Sequence, residues 1–176
     1  MATYVALLRA VNVSGKNKLP MAELREAVTG AGFDNVRTYV QSGNVVVDAK
    51  GSTARRIERA MHELIAAAFG LHVPVVARTG KQWREVLKTQ SFASVEMKRR
   101  YVMFLEKKPS ASAVRRLEEI AAGEDSYVVD GTEIFLDLPT GAGKTKLTNK
   151  AIESKLGIAG TTRNWRSVTK IGELLD

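Results

Sequence analysis

Residues 126–138 read SYVVDGTEIFLDL, and they decide the fold of the second half of the chain. Two short runs of alternating character flank Asp130-Gly131, a strong signal for a hairpin with a two-residue turn. Outward from this hairpin, periodicity predicts a strand at 100–105, helices at 112–122 and 146–156, and hairpin strands at 126–130 and 132–138. The predicted order is strand, helix, strand, strand, helix.

The first half of the chain shows the same order. Its predicted strands are 4–9, 36–41, 45–48 and 73–78, and its predicted helices are 20–31 and 53–69. Pro74 would remove a ladder hydrogen bond, so the fourth strand is expected at a sheet edge or to begin there. This strand-helix-strand-strand-helix-strand order is the ferredoxin-like arrangement.

The fold class expected for residues 1–176 is a single α+β unit with mainly antiparallel sheets. It would contain a first ferredoxin-like half (1–79), a connecting helix and loop (80–98, with the helix at 81–88) and a second half (99–176). In the second half Trp165, Val168, Ile171 and Leu175 recur at helical spacing. That spacing predicts a C-terminal helix where a fourth strand would stand in the first half.

Composition excludes some kinds of functional site. The 176 residues include no cysteine, which excludes disulfides and thiolate chemistry. They include only two histidines, and we expect no metal site and no cofactor. The apolar start lacks a basic leader and is interrupted by Arg9, and no run reaches membrane-spanning length. A cytoplasmic protein without a membrane partner is the expectation.

Charge is uneven along the chain, whose formal net charge is +8. Residues 9–18 hold Arg9, Lys16 and Lys18 without an acid, and residues 139–152 hold Lys144, Lys146 and Lys150 without an acid. An ordinary solvated surface explains such lysines as well as a binding site does. The alternative is that both segments contact a phosphate or carboxylate.

The segment LPTGAGKT at 138–145 is similar to a phosphate-binding loop, because it follows a strand and precedes a helix. No later hydrophobic strand ends in the carboxylate that would hold Mg²⁺, so ATP hydrolysis is not expected. Backbone N–H groups at the helix start, together with Lys144, Lys146 and Asn149, still suit a phosphate. A capping or linker role is the competing interpretation.

Three further segments carry candidate binding residues. The loop at 11–18 is richer in polar residues and glycine than a simple connection needs, and it can present backbone N–H groups and Lys16 to an anion. Turn chemistry alone explains the composition of QSGN at 41–44. In TTRNWR at 161–166 the threonines suit helix caps and Trp165 suits the core, which leaves Arg163 and Asn164 for binding.

No catalytic set is complete. A serine nucleophile lacks both a nucleophile elbow and a nearby histidine. A Ser-Lys pair, such as Ser42 with Lys16 or Lys144, would require folding to bring the two within hydrogen-bond reach. Whether the protein is an enzyme, and which reaction it would catalyse, stays open from these residues.

Several long motifs resemble one bacterial family. They are LLRAVNVSGKN at 7–17, LPM at 19–21, Gly32-Phe33 with Asn35-Val36, TYVQSGNVV at 38–46, and TRNW at 162–165 with Val168 and Lys170. Together they resemble the family of unknown function catalogued as domain of unknown function 1697. The resemblance spans the chain and implies an α+β unit built from ferredoxin-like halves. Where the family usually has glycine, this chain has Ala10 and Ser14.

The resemblance supplies no reaction, cofactor or partner, so the functional prediction rests on the residues. We expect a basic pocket between the halves that binds a small phosphate- or carboxylate-bearing ligand. A nucleic-acid-binding module using the basic surface is the alternative, and a protein-interaction domain is the third. The oligomeric state is not predicted. The candidate ligand-binding residues are Arg9, Asn12, Lys16, Asn17, Gln41, Ser42, Asn44, Lys144, Lys146, Asn149, Arg163 and Asn164.

Overall fold

The computed structural model describes residues 1–176, and internal contacts divide them into two compact units. The first unit contains Met1–Leu87 and Thr169–Asp176, and the second contains Lys88–Val168. Residues 80–87, predicted as part of a connector, therefore group with the first unit. So does the 169–176 segment, which was predicted to belong to the second half.

The first unit is an antiparallel sheet with helices. Its sheet has the strand order β2-β3-β1-β4. Its elements are β1 (Ala2–Leu8), α1 (Met21–Gly30), β2 (Asp34–Tyr39), β3 (Asn44–Ala49), α2 (Ala54–Phe69), β4 (Val75–Thr79) and α3 (Gly80–Leu87). The β4 strand lies at an edge, which confirms the prediction made from Pro74.

The second unit repeats the topology with the strand order β6-β7-β5-β8, again antiparallel. Its elements are β5 (Arg100–Leu105), α4 (Ala111–Arg116), β6 (Ser126–Asp130), β7 (Glu133–Asp137), α5 (Asn149–Leu156) and β8 (Gly160–Asn164), with 3-10 turns at Met97–Arg99 and Leu117–Glu119. Helix α6 (Trp165–Glu173) follows, and the boundary between the units falls inside it. The α+β class, the ferredoxin-like halves and the C-terminal helix are confirmed.

One element was missed. Strand β8 precedes the C-terminal helix, whereas the helix was expected in place of a fourth strand. The polar sequence GTTRN lacks the apolar residues by which a buried strand is usually predicted. Its buried positions hold the polar residues Thr161 and Arg163, which lie opposite Phe104 and Val102 of β5. The prediction that the threonines cap a helix was wrong: Asn164 caps α6 by accepting the N–H of Ser167 at 2.8 Å.

Each unit has an apolar core between its sheet and its helices. Alternation along β1 directs Tyr4, Ala6 and Leu8 into the first core, where the apolar faces of α1 and α2 meet them. The intervening residues Val5 and Leu7 are also fully buried, so both faces of this central strand are shielded from solvent. The second core gathers Met103, Leu105, Ala113, Leu117, Ile134, Leu136, Leu138, Leu147, Ile152, Leu156 and Ile158.

Side chains of the second helix in each unit satisfy backbone groups along the neighbouring edge strand. Glu58 of α2 accepts the N–H of Ala77 at 2.8 Å, and His62 contacts the carbonyl of Val73 through Nδ1 at 2.8 Å. Glu153 of α5 accepts the N–H of Gly160 at 3.0 Å. His62 thus has a structural role in covering the chain that leads into β4.

Candidate functional site

The duplicated halves provide an internal comparison of their loops. The N–H of Leu8 donates to the carbonyl of Gly43 at 2.7 Å, and the N–H of Leu105 makes the equivalent bond to Thr132 at 2.8 Å. These bonds mark corresponding ends of β1 and β5. From that point α1 begins after the 12 residues 9–20, whereas α4 begins after the 5 residues 106–110. The first unit therefore has a much longer strand-to-helix connection than its fold requires.

The neighbouring hairpin turn is enlarged as well. Residues 40–43 separate β2 from β3, whereas only residues 131–132 separate β6 from β7. Both enlarged connections leave the same end of the first sheet, since Gly43 and Leu8 are hydrogen-bonded there. We call the surface formed by residues 10–18 and 40–43 the loop surface.

Asn12 ties the two connections together. Its Nδ2 donates to the carbonyl of Gln41 at 2.7 Å and to that of Leu19 at 2.9 Å, while its Oδ1 accepts the N–H of Leu19 at 2.7 Å. One side chain thereby closes the long loop and anchors the hairpin turn. Asn12 and Gln41, two of the candidate ligand-binding residues, are therefore in contact, and their binding a ligand stays a prediction.

The backbone of the loop surface is unusually rich in left-handed residues. Ala10, Asn12, Ser14 and Asn17 have φ between 49° and 53°, and Gly15 has φ 73°. L-residues adopt this region at a cost, because Cβ crowds the neighbouring carbonyl oxygen. Hydrogen bonds hold the conformation: Asn17 Nδ2 donates to the carbonyl of Ala10 at 3.0 Å, and the N–H of Lys16 donates to that of Val13 at 2.9 Å.

The hairpin turn approaches β1 too closely for a side chain at Gly43. A Cβ there would lie 2.5 Å from Val11 Cγ2 and 2.7 Å from Leu8 Cβ, and φ is 81°. Next in the chain, Asn44 is fully buried and its Nδ2 donates to the carbonyl of Tyr39 at 3.0 Å and to Ser42 Oγ at 3.1 Å. The predicted candidate Asn44 therefore shapes the turn from inside.

The outer face of the loop surface is basic and partly apolar. Lys16, Lys18, Gln41 and Ser42 are exposed, and Arg9 is half-buried at its border. Val13 is 54% and Val40 is 51% exposed. Val40 also has φ 50°, which is a costly conformation for a β-branched residue. Sequence reasoning missed both valines, since hydrophobic residues were assigned to the core by default.

The loop at 138–145 is closed around an acid, which sequence reasoning also missed. Asp125 accepts the backbone N–H of Thr140 at 3.1 Å and hydrogen bonds from the hydroxyls of Thr140 and Thr145. Burial opposes ionisation of Asp125, but these hydrogen bonds outweigh it and keep its pKa below the ordinary value of 3.8. The carboxylate of Asp125 thus accepts hydrogen bonds from groups that a phosphate-binding loop would offer to its ligand.

Helix α5 begins at Asn149 rather than at residue 146 as predicted, because Thr148 caps it by accepting the N–H of Ala151 at 3.1 Å. Lys144 and Lys146 are exposed. The side chain of Asn149 is used inside the unit, where its Oδ1 accepts the hydroxyl of Thr162 at 2.5 Å. Anion binding by this segment stays a prediction.

Arg163 is buried in β8. Its Nη1 donates to Thr161 Oγ1 at 2.6 Å and to the carbonyl of Thr162 at 3.0 Å. Burial lowers the pKa of Arg163 to about 10, so the guanidinium keeps its charge at neutral pH. Asn164 serves as the α6 cap. These residues, with Lys144, Lys146 and Asn149, belong to the second unit, and their grouping with the first-unit residues stays a prediction.

No group of three or more His, Asp or Glu side chains is arranged to hold a metal ion. None of the helices combines the length and the apolar composition that crossing a membrane would require. The site residues that the structure does bring together are those of the loop surface.

Comparison with known proteins supports the fold and the family. No curated protein matches the chain. The solved structure of conserved bacterial protein SP0830 from Streptococcus pneumoniae is similar, with a TM-score of 0.80, 24% sequence identity and coverage of 99% of both chains, which at this identity shows a shared fold. The family model described as protein of unknown function (DUF1697) matches residues 1–135, a segment that includes the whole loop surface. The chain therefore belongs to the DUF1697 family.

Proposed function

We propose that the loop surface binds a small ligand bearing a phosphate or carboxylate group. The observation that carries this proposal is the comparison between the two units. The same topology is completed in the second unit with 5 and 2 residues at the positions where the first unit uses 12 and 4. Connections that exceed the needs of a fold are where binding residues are commonly found.

The backbone of the long loop is suited to an anion. Left-handed residues recur along this loop at positions 10, 12, 14, 15 and 17, and a backbone that switches between right- and left-handed residues can direct successive N–H groups into an anion-binding concavity. At the tip of the loop the N–H groups of Ser14 and Gly15 have no acceptor within the protein. They are exposed donors at the place where the backbone curves.

Electrostatics favours the same ligand class. Residues 9–22 and 40–47 contain no acid, whereas Lys16 and Lys18 are exposed in the first of these stretches. Uncompensated lysines attract an anion over about 10 Å at 0.1 M salt. Because Asn12 already fixes the loop against the turn, little conformational entropy would be lost when a ligand binds.

The two exposed valines indicate that the ligand also has an apolar part. Val13 follows Asn12 and Val40 precedes Gln41, so each is next to one of the two residues joined by the hydrogen bond between Asn12 and Gln41. Val40 occupies a left-handed turn position, where glycine or asparagine is favourable, so exposure to solvent alone does not explain a valine there. We favour a small amphipathic anion over a nucleic acid because the strand aromatics are either buried, as Tyr4 and Phe104 are, or half-buried, as Tyr39 and Tyr101 are, and none is a fully exposed stacking platform.

A thermal-shift screen at constant ionic strength tests the proposal. The probes are inorganic phosphate, phenyl phosphate, acetate and benzoate, applied to wild type, to the Lys16→Ala/Lys18→Ala double variant and to a matched control, Lys107→Ala/Lys108→Ala. The control lysines are exposed in the short β5–α4 connection. We expect stabilisation of wild type and control, largest for phenyl phosphate or benzoate, and its loss in the first variant. Equal shifts in all three proteins would contradict the proposal.

A further inference from the structure

The four sheet edges of the protein differ in how they are protected. At β4, the side chain of Glu58 accepts a hydrogen bond from the N–H of Ala77, and at β8, the side chain of Glu153 accepts one from the N–H of Gly160. The β2 edge is interrupted by a register shift between Asp34 and Arg37, with Asn35 between them at φ 47°. Occupied donors and bulges are devices that prevent an edge from pairing with another strand.

The β6 edge has neither device. It pairs with β7 in an uninterrupted register from Ser126 to Asp130, and no side chain of the protein hydrogen-bonds to its backbone. Val128, at its centre, is 40% exposed. An unprotected regular edge with an exposed β-branched residue is a template for an additional strand.

The outward-facing backbone groups of β6 can be identified. The carbonyl of Thr132 accepts the N–H of Leu105, so Thr132 and, by alternation, Ile134 direct their backbone groups toward β5. Glu133, Phe135 and Asp137 therefore bond to Asp130, Val128 and Ser126, their register partners in β6. The N–H and C=O groups of Tyr127 and Val129 consequently point away from the sheet.

We propose that β6 pairs antiparallel with β6 of a second copy of this chain, forming a symmetric dimer with one continuous sheet through both second units. With the two-fold axis at Val128, Tyr127 of each copy lies opposite Val129 of the other, and the four outward groups of each strand meet their complements. About four intermolecular main-chain hydrogen bonds result. Such an interface is isologous and closes on itself.

The side chains of β6 are self-complementary in this register. Val128 lies opposite Val128 of the second copy, which forms an apolar pair, and Tyr127 lies opposite Val129 of the second copy, which forms an aromatic–aliphatic pair. Ser126 lies opposite Asp130 of the second copy. No two acids lie directly opposite each other, because each Asp130 meets a serine and each Glu124 meets Thr132. This internal symmetry selects a second copy as the occupant.

The test measures oligomeric state by sedimentation equilibrium over a protein concentration series. Wild type is expected to be a dimer in reversible equilibrium with monomer. Val128→Lys places two lysines face to face and should raise the dimer dissociation constant at least tenfold, as should Val128→Glu. The control Met97→Lys makes the same charge change at a residue that is 51% exposed in the same unit, and should leave the constant unchanged.

An equimolar mixture of Val128→Lys and Val128→Glu provides the decisive arm. The opposite charges should restore a dimer that contains one copy of each variant, which misfolded proteins could not form. A wild type that stays monomeric throughout, a dimer as tight in Val128→Lys as in Met97→Lys, or a mixture that stays monomeric would each overturn the proposal.

Discussion

The side-chain amide of Asn12 and the carbonyl of Gln41 are 2.7 Å apart, although 29 residues separate them in the chain. This hydrogen bond joins two connections that the ferredoxin-like topology leaves independent. Because the same amide group also bonds twice to Leu19, it fixes the path of the long loop and the position of the hairpin turn together.

Replacing Asn12 by Ala should lower the free energy of unfolding by about 2 to 3 kcal/mol, since three hydrogen bonds to the backbone are lost, two of them part-buried. Asn17→Ala, which removes one exposed bond to Ala10, should cost no more than about 1 kcal/mol. Urea titration of the two variants measures the difference. Equal losses would show that Asn12 does not have the special role assigned to it.

Ala10→Gly and Ser14→Gly should each stabilise the protein by about 0.5 to 1 kcal/mol, because glycine adopts a left-handed φ without the steric penalty of Cβ. The resemblance places glycine at both positions in other family members, which fits the observed backbone. Ala60→Gly, at a half-buried position in the interior of α2, is the control and should destabilise by about 1 kcal/mol. Melting temperatures that fall in all three variants would contradict this account.

Gly43→Ala should destabilise by about 2 to 4 kcal/mol, since it combines a left-handed backbone with a clash against Leu8 and Val11. Gly51→Ala shares the positive φ but meets no atom within 4 Å, so only the backbone term of about 1 kcal/mol applies. Chemical denaturation compares them. If the two losses coincide, the close approach of the turn to β1 is not an energetic constraint.

The sequence predicted most of the fold because apolar periodicity carries it. The β5 and β6 bounds were correct to the residue, and Asp130-Gly131 located its hairpin. Strand β8 was not predicted, because the burial of Thr161 and Arg163 depends on neighbours that are distant in sequence. The hydrogen bond between Asn12 and Gln41 could not be predicted, since side-chain hydrogen bonds to backbone carbonyls leave no periodic signal.

The role of the 138–145 loop was harder to predict for the same reason. Its composition matches a phosphate-binding loop, whereas the N–H of Thr140 and the hydroxyls of Thr140 and Thr145 donate to Asp125, which lies 15 residues before Thr140. Nothing in the spacing of these residues indicates that contact. The motif alone therefore does not reveal that three donors of the loop already have an acceptor within the protein.

Stability should fall in acid partly through Asp125. Burial raises the pKa of this carboxyl, but hydrogen bonds from Thr140 and Thr145 lower it by more than burial raises it. The folded-state pKa therefore lies below 3.8. The stabilisation is then complete above the unfolded pKa and is lost as the pH falls through the folded pKa. Asp125→Asn should flatten the decline in melting temperature below about pH 4. Asp34→Asn, at an exposed carboxyl, is the control, and an equal decline in wild type and Asp125→Asn would refute the assignment.

The loop surface as an anion site is tested most directly by a titration of ¹⁵N-labelled protein with phenyl phosphate, followed by amide chemical shifts. We predict saturable changes concentrated at residues 12–18 and 40–44, with Ser14 and Gly15 among the largest, and their disappearance in Lys16→Ala/Lys18→Ala. Saturable changes confined to residues 138–150, or no saturable change at the loop surface, would contradict the account.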